Sequence, residues 1–186
     1  MAASTYGIRK KLLDIARRDV GKVEVSRNQA PWIKKYWPAT NYPGGHDERQ
    51  PYCATSLAYD VREWLNLQAV RDAFLFTKEQ AESWRCKSAS CFKADDSWEQ
   101  WAMERGLLLP NPAKAVLHAG DIVIYKHSHI EIYVKDVDPS NQTTGDFWAI
   151  GANTDSGGGR DGDGKWEKTR SRTGKYGIRN VIRMLP

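Results

Sequence analysis

Residues 49–65, RQPYCATSLAYDVREWL, contain the clearest helical pattern in the chain and one of its three cysteines. Apolar residues recur there at helical intervals and form one continuous stripe, made of Ala54, Leu57, Ala58, Val61, Trp64 and Leu65. Proline is tolerated just before such a start, so Pro51 predicts that Cys53 lies in or beside the first turn. A cysteine at that position is either a small core residue or a nucleophile whose thiolate the helix end stabilises.

Helical patterns also flank this stretch. Residues Ile8 to Ala16 follow helical spacing, and Gly21 is a candidate terminator. Residues 22–50 are rich in proline, asparagine and glycine and are predicted to form a loop. Residues 66–106 are predicted to be a helical insertion. Two capping-box pairs, Thr77 with Gln80 and Asp96 with Glu99, each predict the start of a short helix. The second of these helices would turn Trp98, Trp101 and Ala102 inward and end near Gly106.

The pattern changes to strands after residue 120. Residues 122–125 form a β-branched run, residues 129–134 alternate with period two, and residues 147–150 and 181–185 are further strand candidates. The glycine-rich segment 156–165, SGGGRDGDGK, is predicted to be a loop. Helices followed by strands predict an α+β fold, with N-terminal helices packed on a central antiparallel sheet in one domain spanning 1–186.

The bulk composition restricts the function only weakly. The chain has 186 residues, 40% of them apolar, and a formal net charge of +5. No apolar run approaches the ~20 residues of a membrane-spanning helix, and the first residues lack the apolar core of a signal peptide. A basic tract near the C-terminus is either an attraction for an anionic cell wall or an ordinary solvated face: Lys165, Lys168, Arg170, Arg172, Lys175, Arg179 and Arg183.

His129 is the candidate base for a Cys53 nucleophile, because it begins the predicted strand HIEIYV. A base at a strand end, beside a helix end that carries a cysteine, is typical of a papain-like site. A third residue should orient the imidazole, and both Asn153 and Glu131 are candidates. Cys86 and Cys91 are either a disulfide or two thiols. No metal or other cofactor is expected, because neither the His127–His129 pair nor the glycine-rich segment has a full set of ligands.

Three segments in order resemble the CHAP family, the cysteine- and histidine-dependent amidohydrolases/peptidases of papain-like fold. They are PYCATSLAYDV, HAGDIVIYKHSHIEIYV and WAIGANT, and the earlier DVGKVEVSRNQAPWIKKY resembles the leader of phage-type members. The resemblance covers about residues 10–65 and 108–186, and does not explain the insertion 66–106. It implies that Cys53 is the nucleophile, His129 the base and then the acid, and Asn153 the orienting residue.

Two positions depart from the family pattern. Many members carry a glutamate two residues before the final asparagine, where this chain has Gly151, and Glu131 stands where a small residue is common. The third catalytic residue is therefore Asn153 or Glu131. Substrate contacts are expected from Gln50, Tyr52 and Glu131, with Gln50 as a side-chain donor that adds to the backbone N–H groups at the helix start.

The expected activity is that of a peptidoglycan hydrolase cutting an amide bond of the stem peptide, the cross-link or the sugar–peptide junction. Such a monomeric enzyme, made in the cytoplasm, would act in the periplasm or at the wall as a phage lysin or as a secreted antibacterial toxin with an immunity protein. No nucleic acid and no membrane insertion are expected. Two alternatives stay open: a cysteine protease or deamidase acting on a protein, and a non-catalytic basic domain that binds the cell wall.

Overall fold

The computed structural model of the protein describes residues 5–154 and 162–185. These ranges contain six α-helices, which are α1 (Thr5–Arg17), α2 (Pro31–Lys34), α3 (Cys53–Leu65), α4 (Gln68–Phe74), α5 (Lys78–Trp84) and α6 (Trp98–Glu104). They also contain five strands, which are β1 (Ile122–Tyr125), β2 (His129–Asp136), β3 (Phe147–Thr154), β4 (Gly164–Arg170) and β5 (Ile178–Ile182). The predicted α+β class is confirmed.

The five strands form one antiparallel sheet in the order β4-β3-β2-β1-β5. Strands β1, β2 and β3 lie where the alternation predicts them, although β3 continues to Thr154. The predicted last strand lies three residues too late, since β5 begins at Ile178. Strand β4 was not predicted, and it begins at Gly164, so the last two residues of the glycine-rich segment are strand and not loop, while residues 156–161 of that segment lie outside the described residues.

Apolar side chains cover both faces of the sheet. Helices α1 and α3 pack against one face, where Leu57 and Ile132 belong to the largest core cluster. A smaller cluster that includes Tyr133 and Phe147 covers the opposite face. Strand β2 is therefore buried on both sides for most of its length, so polar side chains that begin it are held out of water.

Helix α3 buries the predicted apolar stripe and more. All six stripe residues are buried, which confirms that prediction, but Ser56 and Asp60 are buried as well. Both contact the ammonium of Lys165 on β4, whose Nζ lies 2.6 Å from Asp60 Oδ2 and 3.1 Å from Ser56 Oγ. The helix that begins at Cys53 is thus attached to the sheet by an ion pair as well as by apolar packing.

The insertion 66–106 is helical, as predicted, and packs on α3 through α4 and α5. Thr77 and Gln80 form the predicted capping box at the start of α5. The second predicted box is wrong, because α6 is capped by Ser97, whose hydroxyl accepts from the Gln100 N–H at 3.3 Å. Helix α6 begins at Trp98, so Asp96 lies one residue outside the capping position.

Most cations of the C-terminal basic tract are paired and two are buried, so the tract is not an ordinary solvated face, while an attraction to an anionic cell wall stays a prediction. Lys165 and Arg172 are 1% and 0% exposed. At least five of its seven cations are paired with carboxylates, in the pairs Lys165–Asp60, Arg170–Glu131, Arg172–Asp136, Arg179–Glu99 and Arg183–Asp121. These charges connect β4, β5 and their flanking segments to the rest of the domain.

No helix in the described ranges is long and apolar enough to cross a membrane.

Candidate active site

Cys53 is the first residue of α3 and is 5% exposed. The residue before it, Tyr52, makes no side-chain hydrogen bond that caps the helix. The first backbone N–H groups of α3 therefore stay available at the end of the helix where the Cys53 thiol lies. The backbone N–H of Ala54 is one of the groups that lower the pKa of the Cys53 thiol. Because helix N-termini favour negative charge, this placement stabilises a thiolate.

His129 is the first residue of β2, immediately after the turn that joins β1 to β2. Tyr125 pairs with His129 across a three-residue connection, in which Ser128 takes a left-handed conformation with φ of 63°. The imidazole is fully buried. Its Nδ1 has no nitrogen or oxygen partner among the described residues, while Nε2 is occupied, so Nδ1 is the ring nitrogen available to the Cys53 sulfur.

Glu131 is the residue that contacts His129. Its Oε1 lies 3.0 Å from His129 Nε2, and its Oε2 accepts from Tyr125 Oη at 2.8 Å and from Arg170 Nε at 2.7 Å. A second guanidinium nitrogen of Arg170 contacts Oε1. A side chain in place of Gly151, on the neighbouring strand, would overlap this carboxylate. The glycine therefore provides the space in which Glu131 reaches the histidine.

The electrostatics of the three residues favour a thiolate–imidazolium pair. The neighbouring Cys91 and, against the opposing effect of burial, the neighbouring His129 hold the pKa of the Cys53 thiol well below its ordinary value. Burial alone would lower the pKa of His129, but Cys53 and Glu131 outweigh it and raise that pKa to about 9. Burial also opposes the charge on Glu131, yet Arg170 and His129 keep the pKa of this carboxyl well below its usual range.

Cys91 is a site residue that the sequence did not reveal. Its sulfur lies 3.8 Å from the Cys53 sulfur, and it is 4% exposed. It belongs to the irregular segment between α5 and α6, inside the insertion. The three cysteines are thiols in this structure, and the sulfur of Cys91 contacts that of Cys53 and not that of Cys86, its candidate partner in a disulfide. Apart from the odd number of cysteines, no pattern in the sequence indicates this contact.

A cleft of about 200 Å³ leads to Cys53. It is lined on one side by Gln50 and Pro51, which precede α3, and on the other by Ser90, Cys91 and Lys93 of the insertion. Gln50 is exposed and shares the cleft with Cys53, as expected for a residue that contacts a substrate. The insertion therefore forms one wall of the candidate substrate site.

Tyr52 does not line the cleft, and the Asn153 side chain makes no hydrogen bond to His129 in this structure. Tyr52 is fully buried among aromatic rings that include Trp32 and Tyr36, so it is a core residue and not a wall of the cleft. Asn153 is also fully buried, and neither its side-chain oxygen nor its nitrogen has a hydrogen-bond partner among the described residues. Glu131, expected among the substrate contacts, is instead enclosed beside His129.

The residues present can support acyl transfer by a cysteine. They provide a nucleophile at a helix N-terminus, an imidazole beside it, and a carboxylate that fixes the imidazole tautomer. Across the described ranges, His, Cys, Asp and Glu side chains form no group of three or more that could hold a metal ion.

Comparisons of the chain with protein-family models, curated proteins and solved structures find no match.

Proposed function

We propose that this protein is a cysteine amidohydrolase that cleaves an amide bond of peptidoglycan through an acyl-enzyme. The observation that carries the proposal is that Cys53, which lines a cleft at the start of a helix, has the buried pair His129 and Glu131 of a strand beside it. A buried histidine and a buried glutamate are costly unless they are paired, and here both are arranged around one sulfur.

In the first half of the reaction, the Cys53 thiolate attacks the carbonyl carbon of the substrate amide. The carbonyl oxygen becomes an oxyanion near the start of α3, where backbone N–H groups and the Gln50 side chain are the available donors. The imidazolium of His129 donates its Nδ1 proton to the leaving amine. The C–N bond then breaks, and a thioester between substrate and Cys53 is left.

In the second half, water hydrolyses the thioester. Neutral His129 accepts a proton from the water at Nδ1, and the resulting hydroxide attacks the acyl carbon. Glu131 bonds Nε2 throughout, so it stabilises the charge that the ring acquires and leaves Nδ1 available for these proton transfers. Collapse of the second tetrahedral intermediate releases the carboxylic acid and restores the Cys53 thiolate.

The resemblance to CHAP enzymes supports peptidoglycan as the substrate and a papain-like arrangement as the fold. The two departures from the family pattern, Gly151 in place of a glutamate and Glu131 in place of a small residue, lie side by side on adjacent strands. Ile132 pairs with Ile150, which places Glu131 beside Gly151 on the adjacent strand, and a side chain at Gly151 would enter the space that Glu131 fills. A glutamate at either position thus delivers a carboxylate to the same place. The enzyme would act on the wall after release or delivery, with an immunity protein if it is a toxin.

The test is digestion of purified peptidoglycan by the native protein and by Cys53→Ala, followed by mass analysis of the soluble fragments. The native protein should release fragments whose masses identify the amide bond. The variant should lose about 10⁶-fold in rate, because the nucleophile is gone. A denatured protein substrate, digested in parallel, tests the alternative of a cysteine protease.

Cys86→Ala is the matched control, since Cys86 is also a buried thiol but burial raises its pKa to about 12. It should digest peptidoglycan at the native rate. Digestion by Cys53→Ala at the native rate would refute the proposal, as would cleavage of the protein substrate alone. Binding of the wall without any digestion by the native protein would favour the non-catalytic alternative.

A further inference from the structure

Two sulfur atoms meet at the end of the cleft, although the reaction proposed above needs only one. The Cys53 and Cys91 sulfurs are 3.8 Å apart, and a disulfide requires them to approach to about 2.05 Å. An approach of this size lies within the reach of side-chain rotation. Cys91 lies in a segment without regular structure, residues 85–97, although its carbonyl is held by the Glu99 N–H at 3.0 Å.

We infer that Cys53 and Cys91 form an oxidation site that takes a hydroperoxide and closes to a reversible disulfide across the cleft. Both cysteines line the cleft, which gives a small oxidant a path to them. Cys86 is not part of this pair, because it does not line the cleft. The disulfide would block the nucleophile while it is formed.

The two cysteines have different roles because their surroundings differ. Cys53 has the helix N-terminus and His129 beside it, so its sulfur carries the thiolate that reacts with peroxides. Cys91 comes from the opposite wall and stands within van der Waals range of that sulfur, where a resolving cysteine has to be. The two cysteines are 38 residues apart in sequence, and the chain between them consists of the rest of α3 and the first part of the insertion.

The reaction balances with hydrogen peroxide as the oxidant. The Cys53 thiolate attacks one peroxide oxygen, the O–O bond breaks, and hydroxide leaves and is protonated to water, which gives a sulfenic acid. The Cys91 sulfur then attacks the Cys53 sulfur. The S–S bond forms, the S–O bond breaks, and the departing hydroxide takes the Cys91 proton to become a second water. The two thiols thereby supply the two electrons that reduce the peroxide.

The disulfide would protect the nucleophile as well as block it. A sulfenic acid without a neighbouring thiol is oxidised further to sulfinic acid, which thiol reductants do not reverse. With Cys91 in contact, the sulfenic acid is consumed first. Formation of the disulfide does not depend on the proposed hydrolytic function, whereas its effect on hydrolysis does.

The test treats the folded native protein with hydrogen peroxide, then unfolds it, alkylates the remaining thiols with iodoacetamide and measures the intact mass. Of the three thiols in the chain, only Cys86 should be alkylated after peroxide. Peptide mapping should find the Cys53 peptide joined to the Cys91 peptide. Peptidoglycan digestion should be lost, and dithiothreitol should restore it.

Two variants make the result specific, after circular dichroism has shown that each is folded. Cys91→Ser should lose digestion on peroxide treatment without recovery in dithiothreitol, and its Cys53 peptide should gain the mass of a sulfinic acid. Cys86→Ser should behave as the native protein does, with no thiol left to alkylate.

The mapping experiment on the native protein needs neither variant and no enzymatic activity. A joined Cys53–Cys91 peptide in a protein that digests nothing would uphold the oxidation site and refute the proposed function. Three alkylated thiols after peroxide, a Cys86–Cys91 link, or a Cys53–Cys91 link that forms only in denaturant would overturn the oxidation site.

Discussion

Glu131 and Asp60 are two carboxylates of equal burial, each 2% exposed, and each receives a cation from strand β4. Their pKa values nevertheless move in opposite directions. Burial raises the pKa of Asp60 in spite of the Lys165 ammonium, whereas Arg170 and His129 overcome burial and lower the pKa of Glu131. The surroundings of Glu131 therefore favour its charged form, whereas those of Asp60 disfavour it.

The difference lies in how many partners each carboxylate has. Glu131 accepts from Arg170, Tyr125 and the imidazole of His129, so both of its oxygens are satisfied. Asp60 has Lys165 on one oxygen, while its other oxygen has no hydrogen-bond partner among the described residues. We therefore expect the Glu131 pair to serve the chemistry of His129, and the Asp60 pair to attach α3 to the sheet.

Among changes to these two buried pairs, the largest effect is expected for Glu131→Gln. The amide keeps the shape but removes the charge that fixes and stabilises the His129 imidazolium, so kcat for peptidoglycan should fall by about 10³-fold. The alkaline limb of the pH–rate profile should move as well. His129 acts as an acid while it is protonated, so the native rate should fall as pH rises through about 9. In the variant that limb should shift to lower pH, because a group that raises the pKa of His129 has been removed.

Glu167→Gln is the control for that variant, since Glu167 lies on β4 and pairs at 2.8 Å with the exposed Arg17. It should change kcat by less than about threefold, as expected for an exposed ion pair. A Glu131→Gln enzyme with native kcat and a native alkaline limb would show that the carboxylate has no part in the reaction.

A large effect on stability, rather than on activity, is expected for Lys165→Met. Loss of the ammonium leaves the Asp60 carboxylate buried without its cation, which should lower the free energy of unfolding by about 3–5 kcal/mol at pH 8. At pH 5 the loss should be smaller. The pKa of Asp60 is raised by burial, so the folded protein binds a proton more readily than the unfolded one and can neutralise the unpaired charge as pH falls.

Denaturant unfolding at the two pH values measures this loss, and kcat of the folded fraction should stay within about fivefold of native. Lys22→Met is the matched control, because Lys22 pairs with Asp19 through a side chain that is 45% exposed. Its cost should be below about 1 kcal/mol. A Lys165→Met protein as stable as the control would mean that this buried pair does not attach α3.

The sequence predicted the parts of this protein that depend on local periodicity. The stripe from Ala54 to Leu65 determined α3, and period-two alternation determined β2, because each pattern reflects a face that the fold buries. Strand β4 was missed because charged residues dominate it. Their long side chains pair with carboxylates across the domain, and those partners cannot be read from a single segment.

The site was predictable to the same limit. Cys53 and His129 could be proposed because each stands at the end of a recognisable element. The choice between Asn153 and Glu131 depends on the register of β2 against β3 and on the missing side chain at Gly151, which leaves room for the Glu131 carboxylate. Both are properties of the assembled sheet. Cys91 could not be found at all, because the path of an irregular segment has no periodic signature.

The smallest effect is expected for Asn153→Gly, which tests the choice between the two orienting residues directly. Asn153 has φ of 57°, a conformation that glycine adopts without strain, and its side-chain amide has no hydrogen-bond partner among the described residues. Removal of the amide should therefore change kcat by less than about threefold, since no contact to His129 is lost. Asn153→Ala, measured beside it, should be less stable by about 1–2 kcal/mol because alanine resists positive φ. A loss of kcat in Asn153→Gly as large as in Glu131→Gln would transfer the orienting role to the asparagine, and would require the Asn153 side chain to reach the imidazole during the reaction.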